Sequence, residues 1–179
     1  MKVENREIQL DNITPQIATQ IDILIRYWNL VDEELSLTLK DKDPIKIYIN
    51  SKGGDLDSAI TIVNAIKMSR TPVYTYNIGT TYQESFLIYL AGHKRFAYQN
   101  AIFMYLVKDF NIQENESNFY TIDALKEKRQ KDIKDFIIEK ISITEAQYEK
   151  HKKAEWWFSA EEAQKIRICN ELVRNHFQE

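Results

Sequence analysis

The chain has 179 residues, of which 44% are hydrophobic, so it is long enough to bury the core of one domain. Its 24 basic and 27 acidic residues are interspersed and give a net charge of −3, which argues against nucleic acid or an anionic membrane as the main partner. Cys169 is the only cysteine, which excludes an intramolecular disulfide. No segment approaches the roughly 20 apolar residues of a membrane span, and the first ten residues lack an apolar signal core, so we expect a cytoplasmic protein.

The first 44 residues predict one strand, one helix and a connection. Polar and apolar residues alternate over residues 6–10, as in a half-buried strand. Thr14 and Pro15 are typical of a helix start, because the threonine hydroxyl accepts hydrogen bonds from free amides and proline has no N–H to leave unpaired. Apolar residues then recur at helical spacing to about residue 29. The charged segment 32–44 predicts a connection.

The central block, residues 45–106, predicts three strands separated by helices. Apolar runs with strand character cover residues 45–49, 72–78 and 102–106, and helices are predicted over residues 57–69 and from about Gln83 to Gly92. The first of these helices carries apolar residues up to Met68 on too many sides for a surface helix, so we expect it to be mostly buried. Strands that alternate with helices favour an α/β fold built of stacked β-α-β units.

Two turns of this block have the character of a binding site. Gly53 and Gly54 follow a strand and precede a helix, so their backbone can adopt positive φ and present N–H groups to a ligand oxygen. Gly79 is predicted to end the next strand, and Gln83 then occupies the elbow before the following helix. A nucleophile on such an elbow would lie close to the glycine amides. Glutamine at this position leaves the site without its expected reactive group.

The last third of the chain predicts a long helix followed by shorter elements. An amphipathic helix is predicted over residues 118–141, after a polar loop over 108–117. Its apolar stripe consists of Ile122, Leu125, Ile133, Phe136, Ile137 and Ile141. Such a helix either projects toward a partner or packs on its own domain. Capping-box sequences at 144–147 and 159–162 predict two more helices, and residues 167–173 predict a final strand.

Four segments together resemble the proteolytic subunit of the Clp protease, a serine peptidase with a crotonase-like fold. They are Tyr48-Ile49-Asn50-Ser51-Lys52-Gly53-Gly54, Thr75-x-x-Ile78-Gly79, Lys94-Arg95-Phe96-Ala97-x-x-Asn100 and Phe158-Ser159-Ala160-Glu161-Glu162-Ala163. The resemblance covers about residues 6–173, although Lys52 stands where the family usually has proline. It implies one ClpP-like α/β domain over residues 1–179, with a projecting handle helix in a region of about 107–142.

The three catalytic positions implied by this resemblance carry other residues. Gln83 stands in place of the nucleophilic serine, Leu106 in place of the histidine, and His151 in place of the aspartate. A glutamine amide has no proton to lose, and a leucine can neither accept nor donate one. Hydrolysis by the family mechanism should therefore be absent, and the sequence favours a pseudoprotease over an active enzyme.

The resemblance also implies that the backbone amides of Gly54 and Glu84 form the oxyanion hole. Gly54 is intact, although the turn alone would require a glycine there. Tyr82, Gln83 and Glu84 replace small residues of the family and should fill or gate the substrate pocket.

Two alternatives keep a chemical role for this site. Ser85 could act as a relocated nucleophile, with Glu84, His93 and His151 as the nearest candidate bases. The Gly54 amide could instead serve a small-ligand or acyl-group binding module, since fold alone does not fix function. We expect no metal or other cofactor, because His93, His151 and His176 lack metal-ligand spacing.

The resemblance implies that the chain acts through assembly. The family forms heptameric rings, which join in pairs through the handle, so we expect a homo-oligomer or co-assembly with an active Clp proteolytic subunit. The first predicted strand begins near residue 6, where the family has a preceding segment that engages its partner ATPase. Docking to that ATPase in the usual way is therefore doubtful.

Overall fold

The computed structural model describes residues 6–106, 119–151 and 154–174. These residues contain β1 Glu7–Leu10, α1 Pro15–Glu34, β2 Ile45–Ser51, α2 Leu56–Met68, β3 Val73–Tyr82, α3 Glu84–Ala91, β4 Lys94–Tyr98, β5 Ile102–Tyr105, α4 Phe119–Lys140, α5 Glu145–His151, β6 Trp156–Ser159, α6 Ala160–Lys165 and β7 Glu171–Val173. The α/β alternation predicted for the central block is confirmed.

All seven described strands belong to one sheet. Parallel strands follow the order β1-β2-β3-β4-β7, while β5 also pairs in parallel with β3 and β6 joins β5 as an antiparallel strand. The ten-residue strand β3 makes this branching possible, because its first half pairs with β4 and its last three residues pair with β5. The prediction that β3 ends at Gly79 is therefore wrong, since residues 80–82 find a second partner strand.

The core joins the sheet to the helices α1, α2 and α3, and it also includes Ile133 and Ile137 of α4. The inward residues Ile45, Ile47 and Ile49 of β2 are fully buried, and all eight residues of α3 are buried. Helix α2 is largely buried as expected, but Met68 is 79% exposed. Met68 lies seven residues after the exposed Thr61 and therefore on the solvent side of the helix.

Helix α1 begins at the predicted cap, where the Thr14 hydroxyl accepts from the Ile17 N–H, but it extends beyond residue 29 to Glu34. The extension carries Asp32, which is fully buried although it was predicted to lie in a connection. Its carboxylate accepts hydrogen bonds from both terminal nitrogens of Arg6, at 3.0 and 2.5 Å, and from the Thr71 hydroxyl at 2.6 Å. Burial alone would raise the pKa of Asp32, but these bonds and the Arg6 charge lower it.

Strands β4 and β6 are absent from the sequence-based prediction. Strand β4 begins with two cationic residues, yet Arg95 is buried. Its guanidinium donates to the carbonyl oxygens of Ile168 at 2.8 Å, Arg167 at 2.8 Å and Lys140 at 3.3 Å. Arg95 thus joins the sheet to α4 and to the carboxyl-terminal segment. The final strand is shorter than predicted, because Arg167 adopts a positive φ of 62° and turns the chain before β7.

Helix α4 confirms the predicted long helix and spans 22 residues. Ile133 and Ile137 are buried, but Leu125 on the predicted stripe is 61% exposed. Ala124 and Lys128 are exposed as well, so the described residues leave this face of the helix uncovered. The predicted loop 108–117 and the Ile122 side chain lie outside the described residues. None of the described helices is both long and apolar enough to cross a membrane.

His93 connects α3 to β4 and accepts a backbone hydrogen bond. The Val73 N–H donates to its Nδ1 at 2.9 Å, which requires this nitrogen to be unprotonated. Partial removal of the ring from water lowers the pKa of His93, and the charge of Lys140 lowers it further.

The free energy of unfolding should therefore decrease as the pH falls below about 6.5, the ordinary pKa of histidine. The free energy of unfolding decreases at low pH because the unfolded chain binds the proton at a higher pH than the folded chain does. His93→Asn keeps an acceptor for Val73 and removes the titration, so its stability should fall less steeply in urea unfolding between about pH 7 and pH 5. Equal slopes for the two proteins would contradict this role of His93.

Candidate functional site

Gln83 lies at a sharp elbow between β3 and α3. Its backbone has φ 54° and ψ −121°, a combination that strains any residue with a side chain. The Gln83 N–H donates to the Met104 carbonyl at 2.9 Å, and its own carbonyl accepts from the Phe86 N–H at 3.0 Å. Neighbouring strand and helix thus hold the elbow from both sides. Strand-to-helix elbows of this kind present nucleophiles in hydrolases, but here the residue is glutamine.

Gly53 and Gly54 form the turn that faces this elbow. Gly53 has φ 108°, and a Cβ built on it would lie 2.5 Å from Glu84 Oε2 and 3.0 Å from Gln83 Cβ. A Cβ on Gly54 would collide with the Ile13 carbonyl oxygen. The turn therefore requires glycine at both positions, and the missing Cβ of Gly53 leaves room for the Glu84 side chain.

The Glu84 carboxylate is hydrogen-bonded to the Gly54 amide, which the resemblance assigns to the oxyanion hole. Glu84 is the first residue of α3 and is 6% exposed. The Gly54 N–H donates to Glu84 Oε2 at 3.1 Å. The first turn of a helix also favours a negative charge. The chain thus places its own carboxylate at the donor that the resemblance assigns to an oxyanion.

Ser85 is fully buried and contacts backbone carbonyl oxygens. Its Oγ lies 2.7 Å from the Tyr82 oxygen and 3.0 Å from the Ser51 oxygen, so the hydroxyl proton is donated to the backbone. A serine nucleophile needs access to substrate and a base that takes its proton. Each of its three candidate bases makes another contact. His93 accepts from the Val73 N–H, the His151 ring stacks on Trp156, and Glu84 accepts from the Gly54 N–H.

The pairing of β5 with β6 places Glu155 beside the Leu106 position. Tyr105 pairs with Trp156, so the next antiparallel pair brings Leu106 level with Glu155. His151 lies in α5, and its ring stacks on Trp156 with centroids 4.5 Å apart. Glu155 is not among the residues predicted from the sequence, and finding it would have required recognising β6 as a strand. Position 106 is leucine, and the Glu155 carboxylate accepts from the Trp157 indole N–H at 2.8 Å.

Bulky side chains surround the elbow. Tyr82, Met104 and Trp157 lie at one level of three neighbouring strands. Tyr82 contacts Trp157 edge to face with centroids 5.2 Å apart, and Gln83 Nε2 lies 3.5 Å from the Met104 sulfur. In the part of the chain that the structure describes, no group of three or more His, Cys, Asp or Glu residues is placed to hold a metal ion. His176 lies outside the described residues.

Comparison with models of known protein families identifies the family of this chain. The family model of the Clp protease matches residues 15–176. The chain belongs to the Clp protease family. This membership confirms the resemblance found in the sequence and the ClpP-like α/β fold.

Relatives of this Clp-family chain include two bacterial proteins named ATP-dependent Clp protease proteolytic subunit 2. The one from Borreliella burgdorferi is 26% identical over 141 residues, which cover 76% of this chain and 70% of the relative. The one from Treponema denticola is 28% identical over 148 residues, or 82% and 72% of the two chains. A solved structure of a ClpP1 mutant from Listeria monocytogenes has the same fold at a TM-score of 0.80 and 22% identity, with 97% of this chain and 94% of that chain covered.

The contact between Gly53 and Glu84 can be tested by a double-mutant cycle. Gly53→Ala should lower the free energy of unfolding by about 2 to 4 kcal/mol, because positive φ strains the new side chain and its Cβ collides with Glu84. In a Glu84→Ala background the same change should cost about 1 kcal/mol less, since the collision is removed and the strain remains. Both costs are measured by urea unfolding. An equal loss of free energy of unfolding for Gly53→Ala in the wild-type and Glu84→Ala backgrounds would contradict the position of Glu84.

Proposed function

We propose that this chain is a catalytically degenerate homologue of the Clp proteolytic subunit that acts by assembly. It forms its own oligomer or joins an active subunit as a non-catalytic member. The observation that carries the proposal is the carboxylate of Glu84 at the Gly54 amide, beside an elbow that holds Gln83. A subunit in this state offers neither a nucleophile nor a free Gly54 donor to a peptide.

The chemistry of the site argues against turnover by the family mechanism. Gln83 supplies no nucleophile, and Leu106 supplies no base to activate one. An intact oxyanion hole alone would retain only a residual rate, orders of magnitude below that of a complete triad. Here a negative carboxylate also stands where negative charge would develop, which disfavours the transition state further.

Exposed apolar residues support the assembly half of the proposal. Ile23, Tyr27 and Leu30 of α1 recur at positions i, i+4 and i+7 and are all exposed, so they form one apolar face of that helix. Leu125 is exposed on the handle helix α4. Apolar faces that a single chain leaves uncovered are typical of subunit contacts. The ClpP-like fold of the chain supports the proposal that it also assembles.

Two measurements on the same samples test this proposal: the solution mass and the rate of peptide hydrolysis. The samples are the purified chain alone and the chain mixed with an active Clp proteolytic subunit. We expect particles larger than the 21.2 kDa chain, no turnover by the chain alone, and changed turnover in the mixture. Leu125→Glu and Tyr27→Glu should each reduce assembly, because a charge would be buried at the contact. Glu127→Lys, an exposed charge change about 200° around the same helix from Leu125, serves as the matched control.

Two outcomes would contradict the proposal. A monomer that leaves the active subunit's turnover unchanged would remove the assembly role. Turnover by the isolated chain would remove the degenerate role, and its loss in Ser85→Ala, together with labelling of Ser85 by a fluorophosphonate, would establish the relocated nucleophile instead.

A further inference from the structure

Strand β3 bulges away from β2 shortly before the elbow. Ile49 pairs with Asn77. The next pair is Ser51 with Thr81, so β2 advances by two residues between these pairs while β3 advances by four. Bulges next to functional sites redirect the chain that follows them. Here the bulge, residues 78–80, leads into the pairing of β3 with β5 and then into the elbow, so its shape determines where the elbow lies.

Asn77 ties this bulge to β5. Its side chain is fully buried and is used both as an acceptor and as a donor. Its Oδ1 accepts from the Gly79 N–H at 3.1 Å, within the bulge, and its Nδ2 donates to the Ile102 carbonyl of β5 at 3.0 Å. Because both ends of the amide are used, neither alanine nor aspartate can reproduce this connection.

Asn50 holds the bulge from the side of β2. Its Oδ1 accepts from the Thr80 N–H at 3.1 Å and from the Thr80 hydroxyl at 3.0 Å. A Cβ built on Gly79 would lie 2.7 Å from the same oxygen, so a side chain at position 79 would displace the Asn50 amide. Gly79 thus serves the bulge rather than the end of a strand.

Ser51 connects the bulge to the glycine turn and to the start of α3. It is buried and forms the first pair after the bulge. Its Oγ accepts from the Gly53 N–H at 3.2 Å, and its carbonyl oxygen accepts from the Ser85 hydroxyl at 3.0 Å. The turn and the helix that carries Glu84 therefore meet at a position that depends on the bulge.

We propose that Asn50 and Asn77 are positioning residues of the candidate site: by holding the bulge of β3, they keep the Glu84 carboxylate at the Gly54 amide. They act through the register of β3 with its two neighbouring strands. The Gly54 donor is then closed by the conformation of the strand as well as by the identity of residue 84. The inference rests on the proposed function for its meaning, because the closed donor is part of the degenerate state proposed there. The geometry itself is a property of the single chain.

The amide spectrum of the full chain labelled with 15N-glycine tests this proposal, since Gly79 reports on the bulge and Gly54 on the contact with Glu84. In Asn77→Ala both resonances should move, and the Gly54 proton should shift upfield because its bond to the carboxylate lengthens. In a Glu84→Gln background the same change should move Gly54 much less, since the charged acceptor is already lost.

Asn29→Ala is the matched control, because it makes the same change at another buried asparagine. The Asn29 Oδ1 accepts from the Arg70 and Thr71 N–H groups at 3.0 and 2.8 Å, just before the other end of β3. Its loss should also lower the free energy of unfolding. A merely structural role of Asn77 would be limited to that effect, whereas a positioning role also moves the Gly54 resonance.

Position 50 gives a second, independent test in variants that should remain folded, because Asn50 is exposed. Its bonds to Thr80 both use the oxygen, so Asn50→Asp should leave the Gly54 resonance close to that of the wild type, while Asn50→Ala should shift it upfield. Asn77→Asp should shift Gly54 as well, since a carboxylate cannot donate to the Ile102 carbonyl.

Three results would overturn the proposal. They are a Gly54 resonance that stays in place in Asn77→Ala and Asn50→Ala, an equal shift in Asn29→Ala, and equal shifts in Asn50→Asp and Asn50→Ala. Spectra are compared where wild type and variants have the same measured mass. A wild-type chain that stays monomeric or hydrolyses peptide would contradict the proposed function, whereas the shifts would still decide whether the bulge positions Glu84.

Discussion

The hydrogen bond from the Gly54 N–H to the Glu84 carboxylate is the constraint on which the candidate site depends. It requires a buried acidic side chain at the start of α3, a glycine at position 53 with positive φ, and an elbow that directs residue 84 toward the turn. A buried carboxylate without such a donor would be costly. The interaction therefore fixes the side chain of Glu84 and closes the Gly54 donor at the same time.

The fold around this interaction does not depend on catalysis. Strand β3 pairs with β4 along its first half and with β5 along its last residues, and its other edge pairs with β2. These pairings bring the elbow, the glycine turn and residue 106 to one end of the sheet. Arg95 joins the same sheet to the carboxyl-terminal segment through three carbonyl oxygens. These contacts of the scaffold involve none of the side chains of Gln83, Leu106 and His151.

Local signals in the sequence predicted the elements whose causes are local. The Thr14 cap and the Ser159–Glu162 capping box mark true helix starts. Features that depend on tertiary contacts were not predictable. The buried carboxylate of Asp32 is satisfied by Arg6 and Thr71, which are distant in sequence, and the alignment of Glu155 with position 106 follows from the pairing of β5 with β6. At the site, the sequence indicated the Glu84 amide as a donor, whereas the structure uses its carboxylate as an acceptor. The direction of that side chain depends on the space left by Gly53.

The amide proton of Gly54 gives the most direct test of this account. The chain contains four glycines, so 15N-glycine labelling limits the amide spectrum to four resonances. A carboxylate acceptor should shift the Gly54 proton downfield, and Glu84→Gln should move that resonance upfield, while Ser85→Ala should leave it in place. Glycine resonances that do not respond to Glu84→Gln would show that the Gly54 amide does not bind this carboxylate, and would contradict the interaction at the centre of this account.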